Sequence, residues 1–313
     1  MSYTQDSILN LFKPKGLTSF QAVNRVKRRL QARKAGHIGT LDPMAEGVLP
    51  ICLNRATRII QFLSPLKKVY RAELVLGAIT DTQDATGKVL EQGDPGPVTA
   101  EMARRVVEGF LGEQLQVPPM FSAKKNKGIP LYKLARNGIT IDRKPVSICV
   151  HRIDFLQKTG DRVEFEVECS AGTYVRTLCH DMGRRLGCGA HMTRLVRTRV
   201  GMFDLENALT LEAFDAAAGD GSLPQKLFPQ ERALDFLPEI RVKKDFVSSL
   251  ANGLALSKSS LETFPPTFRP GMDLRVMNGG DHLLAVVEPV VDEAGLKRLE
   301  PEDIAFKLKR VLV

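Results

Sequence analysis

The chain has 313 residues, 43% of them apolar and 26% charged, with a net charge of +9 and a pI near 9.4. That length and apolar content suit one large domain with a buried core plus a smaller one. The basic balance calls for an anionic partner, and no apolar run approaches the ~20 residues of a membrane span, which excludes a helical membrane protein.

The first residues, Met-Ser-Tyr-Thr-Gln-Asp, have neither a basic leader nor an apolar core, so no secretory signal is expected. Cys52, Cys149, Cys169, Cys179 and Cys188 are odd in number and form no Cys-x-x-Cys pair, which argues against a disulfide framework. Cys179-His180 and Cys188-x-x-His191 lack the paired short spacings of a zinc site, so buried thiols are expected instead. These features describe a soluble protein of a reducing compartment, the cytoplasm.

A strand is expected over Ile8 to Phe12, followed by a Lys-Pro-Lys-Gly turn. Thr18 with Gln21 forms a capping box, and Phe20, Val23, Val26 and Leu30 make the apolar stripe of the helix that follows. Arg25, Lys27, Arg28 and Arg29 lie mostly off that stripe, giving the helix a positive outer face. A loop is expected over residues 36–50, built on Gly36-His37-Ile38-Gly39-Thr40-Leu41-Asp42-Pro43. Its glycines permit turns that a Cβ forbids, and Pro43 biases Asp42 toward an extended conformation. No acid occurs between Ser7 and Leu41, while eight lysines and arginines do, so Asp42 is a lone carboxylate in a basic neighbourhood. Such an acid is expected to stay ionised where a polyanion is drawn, or else to be a plain Asp-Pro turn beside a solvated helix.

Val69 to Gly77 alternates as a half-buried strand with Tyr70, Ala72, Leu74 and Leu76 on one face. A turn-rich segment covers Thr80 to Gly87, and Thr99 caps a helix carrying Met102, Val106 and Phe110 up to Gly112. Residues 117–145 hold seven lysines and arginines against the single acid Asp142, with Phe121 and Tyr132 interleaved. This stretch suits an arm that meets phosphates and stacked bases, or an ordinary exposed helix-loop. Strands are expected over Val146 to Leu156 and Arg162 to Cys169, then a turn into a helix with Val175, Leu178, Met182 and Leu186 on one side, closed by Gly187. Arg176 falls in the first turn of that helix, where the dipole disfavours a cation, so a specific carboxylate or phosphate partner is expected.

Arg184, Arg185, Arg194, Arg197 and Arg199 form a third acid-free basic stretch around His191. A linker is expected at 215–230, where the composition turns to alanine, glycine and proline. The remainder carries short strand patterns at Leu274–Val276, Leu283–Val287 and Phe306–Val313, with turns at Asn252-Gly253 and Asn278-Gly279-Gly280, which suggests a small β-barrel-like appendix.

Several motifs together resemble the tRNA pseudouridine-55 synthase (TruB) family. They are Phe12-Lys13-Pro14-Lys15-Gly16-Leu17-Thr18-Ser19, the Gly36-to-Pro43 loop, Lys68-Val69-Tyr70-Arg71, Met120-Phe121-Ser122-Ala123, Leu131-Tyr132-x-x-Ala135-Arg136-x-Gly138 and Gly172-Thr173-Tyr174-Val175-Arg176-Thr177. The match runs in order from about residue 8 to about residue 212, and Glu46 and Asn54-Arg55 depart from the commoner pattern.

The resemblance implies an α+β fold: a mixed, mainly antiparallel central sheet flanked by helices, with a small C-terminal β-rich PUA-like domain. It implies a catalytic domain over 1–235, including the basic arm at about 117–145, and an RNA-binding domain over 236–313. The implied activity is isomerisation of uridine 55 in the tRNA T loop by base flipping, with no cofactor and no metal. Asp42 is then the essential carboxylate, as nucleophile at the sugar or the base or as a base on the sugar, and Arg176 its partner. Tyr70 stacks on the flipped base, Tyr174 and Leu195 line the pocket, His37 fills the vacated stack, and Lys15 contacts RNA. The partner is the tRNA T-stem loop, met by a monomer that needs no second protein and no membrane. A non-catalytic RNA-binding protein and a guide-RNA-dependent relative share the same basic stretches.

Overall fold

The computed structural model describes residue 3 and residues 5–313. The chain opens with strand β1, Ser7–Lys13, whose residues are almost all buried. Helix α1, Ser19–Leu30, follows, and Thr18 and Gln21 form the expected capping box, a feature worth about 1 kcal/mol. The helix buries Ala22, Val23, Val26 and Leu30, but Phe20 does not join them and is 72% exposed. The stripe therefore runs through Ser19 in place of Phe20, because Ser19 is the residue that bonds the neighbouring loop.

Strands β2, Ala35–His37, and β3, Glu46–Leu53, pair antiparallel, so the expected 36–50 loop contracts to residues 38–45. Val48, Leu49 and Pro50 belong to a strand buried from Gly47 to Leu53. Asn54 then takes a left-handed φ of 53°, and its side chain ties Arg33 to the N-terminal segment at Gln5. Arg55 pairs with Asp6 at 2.9 Å, so the departure from the family pattern at 54–55 supports local packing.

Strand β4, Lys68–Leu76, buries Tyr70, Ala72, Leu74 and Leu76 on one face, as its alternation requires. The helix capped by Thr99 is shorter than expected: it spans Ala100–Glu108, buries Ala103 and Val107, and leaves Met102 exposed. In the basic arm, a two-residue hairpin at Lys125–Asn126 and Ile129–Pro130 leads into the short helix Leu131–Arg136.

Ten strands form one sheet around which the site is built, in the order Phe228–Pro229, β1, β3, Ala190–Val200, β4, Arg162–Cys169, Val146–Thr159, Gly112–Gln116, with β2 and Phe203–Asp204 at its side. All these neighbours are antiparallel except β3 with Ala190–Val200, which run parallel. At that junction Gly47 has φ +109, and a Cβ there would run into the Arg197 backbone carbonyl, so only glycine lets the two strands meet. α1 and the helices Ala100–Glu108, Val175–Arg185 and Leu211–Asp220 pack onto the sheet over one large apolar core. The chain is thus α+β with a mixed, mainly antiparallel sheet.

The expected linker at 215–230 is instead structured. Leu211–Asp220 is a helix capped by Thr210 and buried through Leu211, Phe214 and Ala217, and Phe228 adds an edge strand to β1. Its alanines are helix formers packed on α1, which small-residue composition does not separate from a linker. A six-stranded sheet over Glu239 to Val311 forms the C-terminal β-rich unit around its own core of Ile240, Leu274, Val276, Val287 and Phe306. A second apolar cluster joins Met277, Leu283, Val286 and Leu312 to Ile8, Ile38, Val48 and Phe62, so this unit is cemented to the back of the Asp42 loop.

Candidate active site

Asp42 sits on a loop held by backbone bonds. Ser19 Oγ donates to the Leu41 carbonyl at 2.9 Å and accepts from the Leu41 N–H at 2.8 Å. The Gly16 N–H donates to the Pro43 carbonyl at 2.7 Å. Gly39 at φ +78 turns the chain between His37 and Asp42. The carboxylate keeps 36% of its side-chain surface open, while Ile38, Leu41, Met44 and Ala45 of the loop are buried.

Its partner arrives on the helix Val175–Arg185. Gln116 fixes the start of that helix: Oε1 accepts from the Tyr174 N–H at 2.8 Å and Nε2 donates to the Tyr174 carbonyl at 3.1 Å. Arg176, only 4% exposed, places Nε 2.9 Å from Asp42 Oδ2 and Nη1 3.5 Å from Asp84 Oδ2. Nη1 also donates to the Thr82 carbonyl at 3.0 Å and Nη2 to the Phe121 carbonyl at 2.9 Å. Asp84 is aimed in turn, its Oδ1 accepting from Thr82 Oγ1, the Thr86 N–H and Thr86 Oγ1. A buried guanidinium with every edge occupied has one orientation, and so does the carboxylate it holds.

Burial raises the Asp42 carboxyl above its ordinary value; Arg176 opposes the rise, Asp84 adds to it and Lys13 opposes it again. The guanidinium in direct contact favours the ionised form. Lys13 closes the other side: it is fully buried at the end of β1, donates to the carbonyls of Pro14 and Leu17 at 2.9 and 2.7 Å, and is pushed by burial to about 8.

Tyr70 is buried on β4, near enough to Asp42 to feel its charge, and burial raises its phenol against the opposing pull of Arg197. Leu195, also buried, lies on the adjacent strand opposite Ala72. His37 ends β2; burial and then the Arg197 charge lower its pKa, so the ring is neutral near pH 7. Tyr174 is half-buried at the start of the Arg176 helix. Lys15 stands exposed on the turn, and the lysine of that motif coupled to Asp42 is Lys13. Lys13 follows Leu9 and Leu11 at period two on a buried strand, which is the signal that separates it from Lys15.

Asp84 and Arg197 are the other site residues that the sequence does not single out. Asp84 is one acid in a turn-rich run, and Arg197 is one of five arginines in a basic stretch, yet it is 1% exposed. Among the described residues no group of three or more His, Cys, Asp or Glu side chains gathers as a metal site, and the five cysteines are unpaired.

A loop carboxylate held by a buried guanidinium on this mixed sheet agrees with the pseudouridine synthase class that the motifs resemble. A solved structure of a Cbf5-Nop10-Gar1 complex contains a chain superposing with TM-score 0.80 at 30% identity, covering 99% of this chain and 85% of that one. Residues 27–175 match the TruB family pseudouridylate synthase N-terminal domain, and residues 176–235 match the tRNA pseudouridylate synthase B C-terminal domain. The tRNA pseudouridine synthase B of Syntrophotalea carbinolica is 45% identical over 80% of this chain and 81% of its own length. That of Pelotomaculum thermopropionicum is 41% identical over 96% and 95%. The chain belongs to the TruB family of pseudouridylate synthases.

Proposed function

We propose that this chain is a tRNA pseudouridine synthase that converts uridine 55 of the T loop to pseudouridine, with Asp42 as the reacting carboxylate. The observation that carries the assignment of roles is the Asp42–Arg176 contact at 2.9 Å, on an open loop beside the buried ring of Tyr70. The N1–C1′ bond breaks, the base turns, C5 bonds to C1′, the C5 hydrogen leaves as a proton and N1 takes one up. The change is redox-neutral and needs no group from outside. Asp42 serves as nucleophile at the sugar or the base, or as base on the sugar, and each route needs it ionised.

The base leaves the T-loop stack at a cost of a few kcal/mol and is met by the Tyr70 ring, with Leu195 and Tyr174 as walls. Neutral His37 fills the gap left in the RNA stack. Residues 1–235 form the catalytic domain and 236–313 a PUA-like RNA-binding domain, and the arm near 117–145 grips backbone phosphates through Lys124, Lys125 and Lys127. The enzyme acts as a cytoplasmic monomer on tRNA, with no guide RNA or second protein; no helix among the described residues is long and apolar enough to cross a membrane.

The test is tritium release from 5-tritiated uridine in unmodified tRNA and in a T-arm hairpin, with nothing else added. Wild type releases tritium and leaves pseudouridine at position 55, while Asp42→Asn binds the RNA and converts at least about 10⁴-fold more slowly. A wild type that binds but converts only after a guide RNA or protein is added would overturn independent action.

A further inference from the structure

Arg197 lies two residues beyond Leu195 on the strand Ala190–Val200 and is buried there. It is one of the largest fully buried side chains in the chain, and no carboxylate lies within ion-pair distance of it among the described residues. Isolating a guanidinium this way is costly, so its few bonds mark what it is kept for. Nε donates to the Val48 carbonyl on β3 at 2.7 Å, and Nη2 donates to the Gly39 carbonyl in the Asp42 loop at 3.1 Å. A Cβ on Gly39 would sit 3.3 Å from Nη1, so the loop passes against the guanidinium where its glycine allows the closest approach. On the other flank Arg197 is the direct cross-strand partner of Tyr70, and the Tyr70 phenol and this guanidinium interact.

One side chain thus touches the loop that carries the carboxylate, the strand that follows it and the ring that receives the base. We propose that Arg197 is a positioning residue that fixes the Asp42 loop and the Tyr70 ring in one frame, so that a flipped uridine stacked on Tyr70 meets Asp42 at reacting distance. The proposal rests on the isomerase reading above. It assigns Arg197 no contact with substrate: it acts through Gly39 and Tyr70. Arg176 aims the carboxylate itself, and Arg197 holds the backbone of its loop.

The distinguishing experiment uses the full-length protein and a T-arm hairpin. Arg197→Lys keeps the charge but cannot span the carbonyls of Gly39 and Val48 and the phenol together. Its single-turnover rate at saturating RNA should fall by about 10²-fold, the scale expected when reacting groups move by about an ångström, while RNA affinity stays within about threefold. Tyr70→Phe removes the phenol that Arg197 reaches, so Arg197→Lys should cost less in that background than in wild type; full multiplication of the two losses would show that they act separately. Amide exchange across residues 38–45 reads the anchor without catalysis and should speed up in Arg197→Lys. A wild-type rate in Arg197→Lys, or unchanged exchange across 38–45, overturns the proposal. If wild type protects 38–45, and Arg197→Lys loosens it, yet neither converts uridine, then the isomerase reading fails and the anchor stands as structure alone.

Discussion

Arg176 meets Asp42 with one edge and Asp84 with another: Nε lies 2.9 Å from Asp42 Oδ2, and Nη1 lies 3.5 Å from Asp84 Oδ2. The solvent-facing acid and the buried acid share one cation, so the buried acid governs how the cation presents itself to the reacting one.

Arg176→Lys keeps a charge but loses the fork, and its single-turnover rate should fall by about 10²-fold. Asp84→Asn leaves the threonine bonds partly intact and should cost about tenfold, with RNA affinity near wild type in both. Rapid-quench rates alongside filter binding decide the matter, and two unchanged rates would remove the network from the mechanism.

Arg176→Met leaves buried Asp84 without its cation and Asp42 with Lys13 as its remaining cationic neighbour. A loss of roughly 3–5 kcal/mol is expected in urea unfolding near pH 7, as for a buried pair deprived of one partner. Protonation removes the uncompensated charge, so the deficit against wild type should shrink as the pH is lowered toward 5.

Burial lifts the Asp42 carboxyl above the ordinary aspartate value of about 3.9. Conversion needs the ionised form, so the acid limb of the single-turnover rate should have its midpoint above that value. Lys13 favours the ionised carboxylate, and Lys13→Met should move the midpoint higher still. A midpoint that stays put in the variant would exclude electrostatic coupling between the two.

Lys68 is buried, donates to the carbonyls of Ser64 and Leu66, and is pushed to about 8. In the unfolded chain a lysine titrates near 10.4, so between about 8 and 10 the unfolded state binds more protons than the folded one. Stability therefore gains from this group as pH rises through that window, by up to about 1.4 kcal/mol per pH unit. Lys68→Met should flatten the pH dependence of denaturant unfolding between pH 8 and 10, and an unaltered slope would mean that Lys68 titrates as an exposed lysine.

In the arm, Lys124, Lys125 and Lys127 are exposed and outside any ion pair among the described residues. Replacing all three by alanine should reduce the slope of log K against log salt by about 0.7–0.9 for each phosphate no longer neutralised, with little change in rate at saturating RNA. A salt slope equal to wild type would place the RNA elsewhere.

The sequence alone determined the local features. Thr18 and Gln21 are a capping box in the structure, Arg162–Cys169 alternates as its residues demand, and Asp42 lies on a glycine-turned loop. These follow from periodicity and backbone preference, which act over a few residues. The family motifs pair Asp42 with Arg176, and the two side chains meet at 2.9 Å. What only the tertiary structure decided was which charged residues the sheet encloses. Lys13 ends an apolar strand, while Asp84 and Arg197 sit among runs of ordinary polar residues; the chemistry of all three comes from strands distant in sequence closing over them. Desolvation is a property of the neighbours that arrive in three dimensions, so a basic stretch in the sequence became one buried anchor, Arg197, among solvated arginines. The same limit explains 215–230: an alanine-rich run is a linker or a helix depending on whether a core lies beside it, and here α1 and β1 supplied one.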